Sequence, residues 1–170
     1  MYHQCYIRAF TEVLIAAPGV DISIVIVASS SQVLKAFFDA DALGAWWQVR
    51  RSVTTPRTLG PYTLEWGPTD FRDDVLGRLG GVFRGTVMQY DAGHGFFVAD
   101  CFWLPPDGDP IGPMALEVSC TAAGPDVTSG TRLHVRQSGF EESPRWRRYY
   151  EVVGHGWERA LSSLRALLEK

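Results

Sequence analysis

SPRWRRYYEVVGHGWERALSSLRALLEK, residues 143–170, is the longest helical pattern in the chain, and whatever precedes it must cover the face it hides. Ser143 is a suitable N-cap, and Pro144 stands at the first helical position, where its missing N–H costs no hydrogen bond. Trp157, Leu161, Leu164 and Leu168 fall at i, i+4, i+7 and i+11, a single apolar stripe that Ala160 and Leu167 widen. Gly154 and Gly156 weaken the helix between its two halves, so a loosened turn is expected near His155. Arg145, Arg147 and Arg148 read as a solvated face of the same helix.

Upstream of Ser143 the period changes. Segments 49–54, 62–66, 81–90, 95–103, 114–121 and 131–138 read as strands. Turn chemistry separates them at Gly60-Pro61, Gly67-Pro68, Asp91-Ala92-Gly93, Pro105 to Gly108 and Gly124-Pro125. Six strands joined by such turns form an antiparallel meander with one face left to cover, and the closing helix is the natural cover. Before the meander, the β-branched run from Asp21 to Val27 reads as a strand buried on both sides. One of Ser29, Ser30 or Ser31 caps a helix carrying Val33, Leu34, Phe37 and Phe38 on one face. Asp39 or Asp41 caps a second short helix that ends near Gly44 and delivers Trp46 and Trp47.

The expected architecture is therefore α+β, in the order β-α-α-β6-α, with about seven strands. Residues 21–170 form one domain and residues 1–20 an N-terminal extension. This is the helix-grip arrangement, a curved antiparallel sheet wrapped around a long C-terminal helix with a cavity between them. Four stretches resemble one branch of the START-like (SRPBCC) superfamily, the activator of HSP-90 ATPase homologue-like family. They are Val33 to Asp39 followed by Ala45-Trp46-Trp47, Gly81 to Val87, Gly130 to Phe140, and Gly156-Trp157-Glu158 with the leucines after it. Together they cover most of residues 21–170. Two departures stand out: the long Asp- and Arg-rich segment between Trp66 and Gly81, and Gln137 where many members carry histidine. The resemblance implies the fold and a functionally mixed set of relatives, among them co-chaperones, polyketide cyclases and lipid carriers.

Composition narrows the function classes. The chain has 170 residues, 46 % hydrophobic and 21 % charged, enough for a core without metals or disulfides. A net charge of −3 offers no basic face for nucleic acid. Cys5, Cys101 and Cys120 have no metal-ligand spacing, and the last two read as small buried hydrophobes in a reduced, cytoplasmic protein. No charge-free run is long enough for a membrane span, and Arg8 and Glu12 interrupt the apolar stretch from Tyr6 to Val20, which is not read as a secretory signal. Gly77 to Gly81 is too short for a phosphate-binding loop, and no cofactor or metal is expected.

The candidate site is the cavity itself. Nine aromatics (Trp46, Trp47, Trp66, Phe83, Tyr90, Phe97, Phe102, Trp103 and Trp157) offer large apolar area at low entropic cost, suited to core and cavity wall alike. If Asp91-Ala92-Gly93 closes a tight hairpin, Val82, Arg84, Thr86 and Met88 share a face with Phe96, Val98, Asp100 and Phe102, and Arg84 opposes Asp100. Turned inward, Arg84 would hold a ligand carboxylate or phosphate; turned outward, the pair is a surface contact of little consequence. Asp100, Tyr150 and His155 are the acid–base groups for a cyclase-like alternative, whereas His94 and His134 are expected to face solvent. The expected ligand-binding set is thus Trp46, Trp47, Trp66, Arg84, Met88, Val98, Asp100, Phe102, Tyr150, His155 and Trp157. The leading expectation is a carrier or sensor of a small hydrophobic molecule, with a homodimer through an edge strand or the N-terminal extension left open. A co-chaperone-like interaction protein is the third reading.

Overall fold

The computed structural model describes residues 16–170. Cys5 and most of the expected extension, including the greater part of the Tyr6–Val20 stretch, lie outside the described residues. Strand β1, Val20–Ile26, leads into α1, Ser30–Lys35, and α2, Ala40–Trp47. Strands β2, Arg51–Thr54, and β3, Pro61–Trp66, are followed by two short strands, β4, Arg72–Asp73, and β5, Gly77–Arg78. The long strands β6, Gly81–Asp91, β7, Gly95–Leu104, β8, Ile111–Ala122, and β9, Thr131–Ser138, precede α3, Pro144–Leu168. The sheet has seven antiparallel strands in the order β1-β9-β8-β7-β6-β3-β2, and β4 and β5 form a separate hairpin. With α3 packed against α2 and β1, this is the expected helix-grip α+β fold.

The helix caps form where the sequence places them. Ser29 makes a reciprocal capping box with Gln32, Asp39 accepts from the Ala42 N–H, and Ser143 accepts from the Trp146 N–H. Helix α3 runs unbroken through Gly154 and Gly156, so the loosened turn expected near His155 is absent. Nothing lies within 4 Å of a Cβ built at either glycine; a helix tolerates such residues when its tertiary face is strong enough. That face consists of Trp146, Tyr149, Tyr150, Trp157, Ala160, Leu161 and Leu164, all buried.

The core follows the strand alternation. Leu116, Val118 and Cys120 on β8, and Leu133, Val135 and Gln137 on β9, point to the helix side. Strand β1 corrects the two-sided expectation. It is an edge strand paired with β9 alone, with Val20 and Ile26 buried and Asp21 and Ser23 exposed, because no element covers its outer face.

The β6–β7 hairpin also departs from the simple register. Its arms pair as Asp91 with Gly95 and Tyr90 with Phe96, so the turn is Ala92-Gly93-His94, one residue later than the expected Asp91-Ala92-Gly93 closure. Two register shifts follow, one near Met88 on β6 and one at Asp100 on β7, where the backbone is left-handed with φ of 54°. Gly85 allows the close approach at this point: a Cβ there would sit 2.7 Å from a Val98 methyl and 2.8 Å from the Cys101 sulfur. The bulges switch which residues face inward. Phe96 and Val98 are buried before Asp100, and Cys101 and Trp103 after it.

Gly154→Ala is expected to stabilise the protein by about 0.5–1 kcal/mol, the usual gain on replacing a helix-interior glycine where space is open. Thermal or denaturant unfolding checks this; a loss of stability would mean that α3 is broken at that point.

Candidate functional site: a tryptophan-lined cavity

Helix α2 ends on Trp46 and Trp47, and the second indole becomes the hub of an aromatic cluster. Trp47 stacks on Trp46 at 4.9 Å between ring centroids, meets Trp66 edge-on at 5.3 Å and leans on Trp157 at 4.3 Å. One ring thereby joins α2, β3 and α3. The indole N–H groups around it are already engaged: Trp46 donates to the Ala36 carbonyl, Trp66 to the Trp47 carbonyl and Trp157 to Gln137 Oε1.

Beside this cluster lies a cavity of about 370 Å³, between α3, the start of β6 and the segment following β3. Trp47, Trp66, Trp103 and Trp157 contribute to its wall, with Leu79 and Val152 among the aliphatic residues. Gln137 and Tyr149 also line it, and Arg159 stands exposed at its mouth with no acidic partner among the described residues. The volume is within the range of about 300–1,000 Å³ typical of small-molecule sites.

Three residues of the expected set, Trp47, Trp66 and Trp157, are therefore together on the cavity wall. Trp46 and Val98 are buried behind that wall in the core. Tyr150 is also buried, and its hydroxyl donates to the Gly139 carbonyl at 2.6 Å. The inward placement of Arg84 and Asp100 is corrected. Both are exposed on the outer face, Arg84 opposes Phe102 instead of Asp100, and its guanidinium lies 5.5 Å from the Phe102 ring centroid. The hairpin closes one residue later than expected, which sets Arg84 against Phe102; the extra residue at Met88 turns Arg84 outward, and the one at Asp100 leaves that carboxylate outside. Met88, at the other bulge, is 45 % exposed. His155 is exposed on α3 and lies 3.5 Å from Glu158. Asp100, Tyr150 and His155 do not converge, so the acid–base cluster weighed for a cyclase does not form.

His94 and His134 face solvent as expected, each beside an aspartate, Asp91 and Asp21 respectively. Cys101 and Cys120 are buried, and burial pushes both thiols up to about 12, so neither is a thiolate near neutrality. Among the described residues no cluster of side chains is arranged to hold a metal ion, and no helix is long and apolar enough to cross a membrane.

The sequence reading missed the segment between Trp66 and Gly81 as a site element. Gly67, Thr69, Leu79 and Gly80 form one side of the cavity mouth. The hairpin β4–β5 above them is clamped by Asp73, whose carboxylate accepts from the Val75 and Leu76 N–H groups at 3.0 Å and from Arg148 Nε at 2.8 Å. A second guanidinium nitrogen approaches at 2.7 Å, so helix α3 holds the flap by a two-point contact to a carboxylate only 3 % exposed. Leu76 beneath it is buried in the core. The sequence signal was present in Phe71, Val75, Leu76 and Leu79, apolar residues scattered through a charged stretch, and in an aspartate placed to cap its own turn.

No family model matches this chain, and no curated protein does. Solved structures resemble it closely in fold. Protein MLL2253 from Mesorhizobium loti superposes with a TM-score of 0.65 at 20 % identity, over 88 % of this chain and 96 % of its own. Protein CV1439 from Chromobacterium violaceum gives 0.63 at 21 % identity, over 90 % and 98 %. The AHSA1 (SPO3351) protein from Silicibacter pomeroyi gives 0.62 at 12 % identity, over 88 % and 96 %. At these identities the likeness shows the helix-grip fold and nothing about ligand or activity.

The Arg148 hydrogen bond, helped by the two backbone N–H groups and opposed by burial, lowers the Asp73 carboxyl from 3.8 to about 2. A depressed carboxylate stabilises the fold above its unfolded value and loses that contribution as pH falls from about 4 to about 2. Thermal melts across that window should show wild type losing stability more steeply than Asp73→Asn, which begins less stable at about pH 6. Parallel curves would mean that the clamp contributes nothing.

Proposed function

We propose that this chain is a binding protein of the activator of HSP-90 ATPase homologue-like kind, holding a small hydrophobic ligand in the cavity as a carrier or sensor. The observation that carries the reading is the composition of the wall: four tryptophans around about 370 Å³, with the N–H groups of Trp66, Trp103 and Trp157 already bonded to protein oxygens. Such walls present ring faces and edges to an occupant while making few polar demands on it. Lipid-like, aromatic and polyketide-like molecules all fit that description. Trp47, Trp66 and Trp157 are the residues proposed to touch the ligand. In the same reading residues 21–170 are the ligand-binding domain, residues 1–20 are an extension to it, and the protein acts in the cytoplasm.

The cyclase-like alternative has less support, since its acid–base residues point in different directions. Fold analogy alone favours neither a carrier nor an enzyme.

Gly156 provides the test. It lines the cavity, and open space surrounds its missing side chain, so Gly156→Leu should fill the site without disturbing the helix. A naphthalene probe titrated into wild type should quench tryptophan fluorescence saturably. In Gly156→Leu the affinity should fall by about tenfold or more while the melting temperature is kept or raised, because the added side chain occupies ligand space and replaces a helical glycine. Failure of wild type to bind, or equal binding by both proteins, would contradict the proposal.

A further inference from the structure

The cavity is not uniformly apolar. Two polar side chains on its wall, Gln137 and Tyr149, are bonded to each other, and the direction of that bond has a consequence for the ligand. Gln137 is 2 % exposed and sits at the centre of three contacts. Trp157 Nε1 lies 2.9 Å from its Oε1, Met114 Sδ lies 3.3 Å from its Nε2, and the Tyr149 hydroxyl lies 2.9 Å from the same Nε2.

The outer members set the polarity of this chain. An indole N–H only donates and a thioether sulfur only accepts. Both demand the same amide orientation, with the oxygen toward Trp157 and the NH2 toward Met114 and Tyr149. The amide therefore donates to Tyr149, and the tyrosine oxygen is the acceptor. Its own proton is not used in that bond, and the described residues offer it no acceptor. Tyr149 is 3 % exposed, so bulk water is not freely available to it either. Burial raises its pKa well above the usual tyrosine value and keeps the proton in place.

We propose that Tyr149 is the specificity-determining donor of the cavity, and that the ligand is an apolar molecule carrying a hydrogen-bond acceptor oxygen, a carbonyl in the simplest case. The inference rests on the ligand-binding reading above and narrows it. A ligand without an acceptor leaves the hydroxyl proton unsatisfied, and a ligand presenting only a donor meets a second donor there. The chain Trp157–Gln137–Tyr149 thus converts a fixed indole N–H on α3 into a fixed O–H elsewhere on the wall of the same cavity.

Three probes of similar size separate the possibilities: 2-acetonaphthone, which accepts; 2-isopropylnaphthalene, which has no polar atom; and carbazole, which only donates. Affinities are read from tryptophan quenching, and ratios between proteins cancel the probes' different hydration. In Tyr149→Phe the ketone-to-hydrocarbon affinity ratio should fall by about tenfold from its wild-type value. In Gln137→Met the tyrosine oxygen is free to accept as well, so carbazole should gain about fivefold relative to the hydrocarbon. Wild type supplies a readout that needs no variant, because the carbonyl stretch of bound ketone should lie below its frequency in hexane.

Unchanged ratios in both variants, with a hexane-like carbonyl stretch, would overturn the inference while leaving the cavity a binding site. Absence of any quenching of wild type by all three probes would overturn the ligand-binding reading and this inference with it.

Discussion

The Trp157 indole is the contact on which the rest of the arrangement depends. Its ring leans on Trp47 at the end of α2, and its N–H is bonded to Gln137 on β9. Helix α3 has two glycines near its middle and three arginines set against its positive N-terminal end, so local preference alone does not hold it straight. Tertiary burial does. A buried tryptophan removes about 150–250 Å² from water, worth on the order of 4–6 kcal/mol at the usual area coefficient before ordering costs. That exceeds the helical penalty of both glycines. The same side chain is also a wall of the cavity, so the interaction that seats the helix shapes the site.

Much of the fold was legible because it follows from period and punctuation. The strands, their antiparallel order, all three helix N-caps and the closing helix stripe come from local rules of alternation, capping and turn chemistry. Burial of β1 was misread because β-branched composition says that a strand exists without saying how many neighbours it has. The glycines of α3 were read as a loosened turn because local propensity was weighed without the packing that overrides it.

The candidate site was legible in its aromatics and illegible in its polar groups. Trp47, Trp66 and Trp157 come together because α2 packs on the closing helix and the end of β3 meets them there. Arg84 and Asp100 were placed by alternation, and alternation fails at a bulge; nothing in the one-dimensional pattern marks Asp100 as the residue that adopts a left-handed backbone. Gln137 and Tyr149 belong to different elements and acquire meaning only through a bond between them. Gln137 was visible as a departure from the family that the sequence resembles, but its contacts required Trp157 on one side and Met114 on the other. The flap held by Asp73 and Arg148 joins residues far apart in the chain, a contact that a polar loop does not announce.

The central claim is that the space beside Trp157 is a ligand site. The chain has six tryptophans, and four of them, Trp47, Trp66, Trp103 and Trp157, line the cavity, whereas Trp146 is buried away from it. Nitrogen-15 labelling of the indoles gives each an addressable N–H signal, and titration with an apolar probe reads the site directly. The account predicts saturable shifts at the four lining indoles, with the Trp146 signal left in place. Shifts spread evenly over all six, or no shifts as the probe reaches its solubility, would contradict it.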